Sequence, residues 1–127
     1  LQFCAAVADY RVAEASREKI KKSSDKLTLD LTENPDILGS ARTKFEFTGV
    51  LVGFAAETND VERHARDKLA RKGCDIIAAN DVSRKDIGFD GDENEVTLYF
   101  ADGSSKVIPR SSKKDIARNL MLEIERL

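Results

Sequence analysis

Lys68 and Lys72 are the residues of this chain whose placement most invites a chemical reading. Wound at about 100° per residue, the segment after Asn59 puts Val61, Ala65 and Leu69 on one apolar stripe and both lysines in the same arc. A helix that needed only solubility would carry its charges on the opposite side. Spacing alone leaves two readings open. Either the lysines lie at the edge of the stripe and lay their methylene stems along it, or they reach over a sheet edge toward an anion, for which phosphate is the usual candidate. Asp9, at the end of the apolar run Leu1 to Ala8, poses a similar question. At the carboxyl end of a buried strand an acid faces the crevice of an open α/β sheet, but an Asp there also serves as a cap or turn former. The stretch Glu18 to Lys26 carries four lysines, at 19, 21, 22 and 26, and reads as a mobile flap over about residues 17–26. It is a solvated loop, or a flap that orders over a polyanion.

Other chemistries lack their parts. His64 is the single histidine and falls on the polar side of its helix beside Arg63, while Cys4 and Cys74 sit in apolar strands. A zinc site of the His/Cys type takes about four such ligands, or three and a water. Two cysteines make no disulfide framework, and both read as buried reduced thiols. There is no G-x-G-x-x-G, Walker A loop, G-x-S-x-G elbow or usable Cys-His pair. A net charge of −2 argues against a general nucleic-acid surface. No apolar run approaches the roughly 20 residues of a membrane span, and no signal peptide is evident, so a cytoplasmic location is expected. The 127 residues, 41% of them hydrophobic, suit a single domain. The abrupt apolar start without Met reads as part of a longer protein.

The elements that must position these groups centre on Val50 to Ser83. Val50 to Ala56 is apolar at nearly every position, which a strand needs when both faces are covered, so a central parallel strand is expected. Asn59 with Glu62 three residues on forms a capping-box pattern for the helix, and Cys74 to Ser83 is a second buried strand. Leu27 to Leu31 alternates as a short half-exposed strand. Asn34 then reads as N-cap and Pro35 as first residue of a helix running to about Lys44, whose N-terminus is a further generic anion site. Glu95 to Phe100 and Ser105 to Ile108 flank Asp102-Gly103, a type I′ hairpin signal, within a hairpin of about 95–108. From about Ser112, Ile116, Leu120, Ile124 and Leu127 repeat at helical spacing across the sheet. The fold class is therefore α/β, an open, mostly parallel sheet flanked by helices with a C-terminal antiparallel hairpin. Its crevice is cationic and suits a nucleotide or phosphorylated ligand, and the reaction type does not follow from these features.

Seven motifs in chain order carry a more specific signal: Ala5-Ala-Val-Ala-Asp-Tyr-Arg11, Lys19-Ile-Lys-Lys22, Asn34-Pro-Asp-Ile37, Val52-Gly-Phe-Ala-Ala-Glu-Thr58, Lys68-Leu-Ala-Arg-Lys72, Asn80-Asp-Val-Ser83, and Gly88-Phe89 followed by Asn94. Together they resemble phosphopantothenoylcysteine synthetase, also called phosphopantothenate-cysteine ligase. This is the C-terminal part of the bacterial bifunctional DNA/pantothenate metabolism flavoprotein. The resemblance implies a Rossmann-like fold and a ligase of coenzyme A biosynthesis. Such a ligase activates 4′-phosphopantothenate with CTP, releasing pyrophosphate, and passes the acyl-cytidylate to cysteine.

Carried over residue by residue, the resemblance makes Lys19 the catalytic lysine, offsetting charge on the reacting phosphate. It makes Ala5, Asp9, Lys19, Asn34, Pro35, Asp36, Ile37, Phe54, Lys68 and Lys72 nucleotide-binding. Mg2+ accompanies the nucleotide, with Asp9 the candidate carboxylate for it and no other metal ligand assigned. FMN belongs only to the fused decarboxylase part, not to this chain. A homodimer is implied, through a hairpin edge rich in Val96, Tyr99, Phe100, Val107 and Ile108. The family's N-terminal half, with a glycine-rich segment and an asparagine that handles the intermediate, has no counterpart here, so the 127 residues are expected to be inactive alone. An ATP-using ligase of the same fold and a non-catalytic nucleotide-binding fragment are the alternatives. Residues 95–127 carry none of these motifs.

Overall fold

The computed structural model describes residues 7–15, 18, 26–83 and 93–127. They fall into two units, Leu1–Ile37 and Leu38–Leu127, each taken by itself. Ala5 and Cys4 in the first apolar run, Lys19 with most of the flap, and the loop 84–92 lie outside the described residues.

In the first unit, β1 (Tyr10–Val12) pairs antiparallel with β2 (Leu31–Glu33), Tyr10 opposite Glu33 and Val12 opposite Leu31. Beyond it, the Ala13 amide donates to the Asp30 carbonyl at 2.8 Å. The strand expected over 27–31 thus starts only at Leu31. Leu27, Leu29 and Leu31 are all exposed, so their alternation defines no buried face. Position along the chain was decided instead by the backbone partners that Tyr10–Val12 offers. The helix expected from Pro35 to Lys44 is a single turn, α1 (Ile37–Ser40). Asn34 does not cap it, because its side-chain amide is engaged by Ala8 and Arg11. After Ser40 the chain closes on itself, with the amides of Lys44 and Phe45 both donating to the Ser40 carbonyl.

The second unit is a four-stranded sheet in the order β3 (Val52–Glu57), β4 (Ile76–Asp81), β5 (Glu93–Phe100), β6 (Ser105–Ser112). β3 and β4 run parallel, Val52 opposite Ile76, joined through α2 (Val61–Lys72). β5 is antiparallel to β4 and β6 to β5. The α/β class holds, and the described strands form a mixed sheet with one parallel and two antiparallel pairings. α3 (Lys113–Ile124) closes the chain.

β4 explains the continuous apolar run that encodes it. Ile76 and Ala78 face a core with Val96, Leu98, Ile108, Ile116 and Leu120 under α3. Ile77 and Ala79 face the opposite core with Ala55, Ala65, Cys74 and Tyr99 under α2. Both faces are covered, so alternation disappears. β3 behaves differently: Gly53 and Ala55 are buried while Phe54 is 65% exposed, and among the described residues it stands at the sheet edge rather than in the centre.

The helix ends show which local signals were used. α2 is preceded by Asp60 in the left-handed region (φ 45°) with no side-chain cap bond, so the Asn59–Glu62 capping box does not form. The reason is competition: Asp60 accepts from Arg63 at 3.0 Å and Glu62 from Arg66 at 2.9 Å. At the far end Gly73 (φ 63°) donates to Ala70 O and Cys74 to Leu69 O, a complete Schellman closure. α3 is capped by Ser112, which accepts from the Asp115 amide at 3.1 Å. Ile116 and Leu120 are buried, whereas Leu127 lies beyond the helix and is exposed.

The β5–β6 turn departs from the expected type I′. Gly103 (φ 91°) is its one residue with positive φ, whereas type I′ needs two. Gly103 N donates to Phe100 O, Phe100 N to Ser104 O, and Asp102 Oδ1 takes the Ser104 amide at 2.8 Å. Further along, the register shifts by one residue between Asn94 and Val96, opposite the segment holding Pro109. A proline cannot donate to a ladder, and a bulge on an edge strand accommodates it. Of the residues expected to line an exposed edge, Val96, Tyr99 and Ile108 are buried in the domain's own cores and Phe100 is partly buried. Val107 is exposed. Among the described residues no helix is long and apolar enough to cross a membrane.

Candidate functional site

The outer edge of β3 and the side of α2 bring two of the sequence-assigned residues together. Lys68 Nζ donates to the Phe54 carbonyl at 2.7 Å, and the Phe54 ring beside it is exposed. The helix delivers Lys68 there because Val61, Ala65 and Leu69 anchor the stripe, Ala65 fully buried against the sheet, which leaves the adjoining positions at the sheet edge. An ammonium has three donors, so the bond to Phe54 leaves it able to hold a further acceptor. Lys72 is half-buried one turn on. The buried Cys74 thiol registers the surroundings: burial pushes its pKa up, Asp75 pushes it further, and Lys68, Arg42 and Lys72 pull it down.

In the first unit a second pair is assembled. The Asn34 amide N–H donates to Asp9 O at 2.8 Å, its side chain donates to Ala8 O at 2.7 Å, and its Oδ1 accepts from Arg11 at 3.2 Å. Arg11 also donates to Glu33 O at 2.6 Å. Asn34 therefore staples the segment carrying Asp9 to the segment leading into Pro35, Asp36 and Ile37, all three of which are exposed. The Asp9 side chain is exposed as well. Ala5 and Lys19 lie outside the described residues.

At the carboxyl end of β4, beside β5, a cavity of about 200 Å³ opens between α2 and the sheet, lined by Val61, Ala79, Asn80, Asp81, Glu95, Thr97 and Tyr99. This is where ligands enter open α/β sheets. Asp81 Oδ1 accepts the Ser83 amide (2.9 Å) and hydroxyl (2.6 Å), which fixes its carboxylate at the strand end. Close by, His64 Nδ1 meets Glu57 Oε2 at 3.2 Å while its Nε2 faces Arg63 at 3.1 Å. None of the lining residues was assigned to a site from sequence. The signal available was the polar pair Asn80-Asp81 ending an otherwise apolar strand.

The opposite end of β4 is a structural clamp. Arg42 donates to Asp75 Oδ2 (2.6 Å) and to the carbonyls of Phe47 and Gly49 (both 2.8 Å), and lies over the Phe47 ring. Asp75 Oδ2 also accepts the Leu51 amide at 2.6 Å.

A family model described as "DNA/pantothenate metabolism flavoprotein C-terminal domain" matches residues 1–127. The chain belongs to this family. Coenzyme A biosynthesis bifunctional protein CoaBC of Vibrio vulnificus (strain CMCP6) is 44% identical over 126 residues, 98% of this chain and 31% of that protein. CoaBC of Haemophilus influenzae is 48% identical over 124 residues, 95% of this chain and 30% of that protein. The chain thus spans about a third of the length of the curated relatives it matches. A crystal structure of the C-terminal domain of CoaBC superposes with a TM-score of 0.71 at 34% identity, covering 96% of this chain and 50% of that one. The DNA/pantothenate metabolism flavoprotein of Streptococcus pneumoniae, at 23% identity and a TM-score of 0.65, covers 95% of this chain and 57% of that one and shares the fold. The resemblance read from the seven motifs and the α/β class are thereby borne out.

Proposed function

We propose that this chain is part of a phosphopantothenate-cysteine ligase of coenzyme A biosynthesis, which uses CTP to activate 4′-phosphopantothenate and passes the acyl group from the cytidylate to cysteine. The observation that carries this reading is the Lys68 ammonium held over the β3 edge beside the exposed Phe54 ring, a cation and an aromatic face at one place. The match to the family over the whole chain and the CoaBC relatives support it. In this reading Lys68 and Lys72 meet the nucleotide's phosphates and Phe54 offers its ring to the nucleoside. Asp9, Ala5 and the Asn34-to-Ile37 segment contribute further nucleotide contacts, and Lys19 offsets charge on the phosphate that is attacked.

Mg2+ bound with a nucleotide needs only one or two protein carboxylates, since phosphates and water supply the rest. The exposed Asp9 carboxylate fits that requirement. No cluster of three or more His, Cys, Asp or Glu that could hold a metal by itself exists among the described residues. Asp9 would hold the ion, which would offset phosphate charge.

The wider protein is proposed to work as a homodimer in the cytoplasm, with residues 1–127 inactive alone. A monomer by light scattering at micromolar concentration, or turnover by the isolated 127 residues, would remove those parts. The central test is pyrophosphate release by the complete protein with phosphopantothenate and either CTP or ATP. Release with CTP supports the reading, release with ATP alone transfers it to the ATP-using form, and release with neither leaves a nucleotide-binding module. Lys19→Gln should slow formation or consumption of the acyl-cytidylate more than it weakens CTP binding.

A further inference from the structure

We propose that Arg11 is a positioning residue of the nucleotide site: it orients the Asn34 side-chain amide, which holds the backbone around Asp9 and so places the Asp9 carboxylate for the Mg2+-bound nucleotide. Arg11 does this without touching the nucleotide. The inference rests on the ligase reading for the ligand. The arrangement of Arg11, Asn34 and Asp9 stands on its own hydrogen bonds.

Among the described residues, β1 and β2 make a ribbon of only two strands, three residues each and mostly exposed. Such a ribbon is marginal by itself, so what ties its end matters. The Asn34 amide N–H continues the ladder one step past the Tyr10–Glu33 pair by donating to Asp9 O at 2.8 Å, and the Asn34 side chain donates to Ala8 O at 2.7 Å. The carbonyls before and after the Asp9 Cα are therefore both held by one residue. The Asp9 carboxylate has no hydrogen-bond or ion-pair partner of its own among the described residues, so the backbone sets where it stands.

Arg11 decides which way the Asn34 amide faces. A carboxamide is nearly symmetric in shape, and turned by half a revolution it would set Oδ1 against the Ala8 carbonyl, acceptor against acceptor. A guanidinium has donors only. Arg11 Nη1 donates to Asn34 Oδ1 at 3.2 Å and to Glu33 O at 2.6 Å, so it stabilises the one orientation that turns Nδ2 toward Ala8. Both bonds leave the same nitrogen, so the position needs one cationic nitrogen with two N–H groups rather than a planar fork. A lysine ammonium meets that need as well.

The test is calorimetric titration of CTP into the complete protein with and without Mg2+. Without the ion, wild type and Arg11→Ala should bind alike. With it, the wild type should gain affinity and Arg11→Ala should fall about fivefold or more behind. Asp9→Asn should show the same loss, and adding Arg11→Ala to it should cost little more, since both act through one carboxylate. Arg11→Lys should recover most of the gain. Equal losses with and without Mg2+, or losses that add in the double variant, would mean that Arg11 meets the nucleotide directly or only supports the fold, and either result overturns the proposal. Wild-type affinity in Arg11→Ala or in Asp9→Asn overturns it too. If Arg11→Ala fails to fold, Asn34→Asp decides the question: it keeps the acceptor for Arg11, loses the donor to Ala8 O and should show the same Mg2+-dependent loss, and wild-type affinity there sinks the role. Pyrophosphate release by the wild type tests the ligase reading separately. Release without coupling between Arg11 and Asp9 refutes the positioning role alone, coupling without release refutes the ligase reading alone, and a wild type that binds no CTP overturns both.

Discussion

Lys68 Nζ lies 2.7 Å from the Phe54 carbonyl oxygen, donating from α2 to the outer edge of β3. The bond gives a backbone acceptor at the edge of the described sheet a partner and fixes the ammonium beside an exposed aromatic ring. It also means that Lys68 has a structural bond whether or not a ligand arrives, so its two roles must be separated by measurement.

Changing Lys68 and Lys72 together to Met keeps the stem packing and removes both charges. If they meet phosphate, each loses a charge-assisted bond of roughly 1.5 to 3 kcal/mol, and CTP affinity falls about tenfold or more per site. The wild-type affinity should also decline more steeply with salt than that of the variant. Calorimetry on the complete protein at two salt concentrations reads both. Matching affinities and slopes would assign the lysines to packing alone.

Gly53 sits where β3 passes closest to its neighbours. A Cβ there would meet Ile77 Cδ1 at 2.7 Å, Leu38 Cδ2 at 3.0 Å and Cys74 Sγ at 3.4 Å. Gly53→Ala should destabilise the fold by about 1–3 kcal/mol through overpacking. Urea unfolding should show a lower midpoint at unchanged m-value.

Arg42 satisfies three segments with one planar fork, so Arg42→Lys should fail to replace it. A loss of about 2–3 kcal/mol is expected, nearly as large as for Arg42→Ala. A lysine variant of wild-type stability would show that charge alone suffices.

Cys74 sets an alkaline limit. Burial raises its thiol pKa above the ordinary 9.0, so the unfolded chain loses this proton first as pH rises. The contribution to stability is complete below about pH 9 and fades as pH climbs through the higher folded-state value. Cys74→Ala should flatten that alkaline decline in unfolding curves. In the native protein at pH 8, iodoacetamide should modify Cys74 far more slowly than after unfolding.

Ser112→Ala removes the cap at the start of α3, leaving the Asp115 amide without its acceptor. Thermal unfolding should report a loss of about 1 kcal/mol.

Much of the second unit was legible along the chain because its signals are local and mutually consistent. The apolar run of β4, the Val61, Ala65, Leu69 stripe and the Ile116, Leu120, Ile124 repeat each mark a face that has to be buried, and each is. The pairing of Lys68 with that stripe was visible too, since helical geometry alone sets the angle between them.

What sequence misplaced was every feature on which tertiary partners compete. Asn34 reads as an N-cap, yet Ala8 and Arg11 take its amide, and the helix shrinks to one turn. Asn59 and Glu62 match a capping box, yet Arg66 takes Glu62. Asp102-Gly103 matches a type I′ turn, and the turn forms with positive φ at Gly103 alone.

The sequence by itself determined the family, the α/β class and the apolar faces, because motif order and periodicity are properties of one chain segment at a time. Only the tertiary structure decided where polar groups spend their hydrogen bonds: Lys68 on Phe54 O, Arg42 across three segments, and Tyr99 with Asp81 and Glu95 around one cavity. Those groups lie many residues apart, and a donor chooses among acceptors by distance and angle in space, which spacing along the chain does not encode.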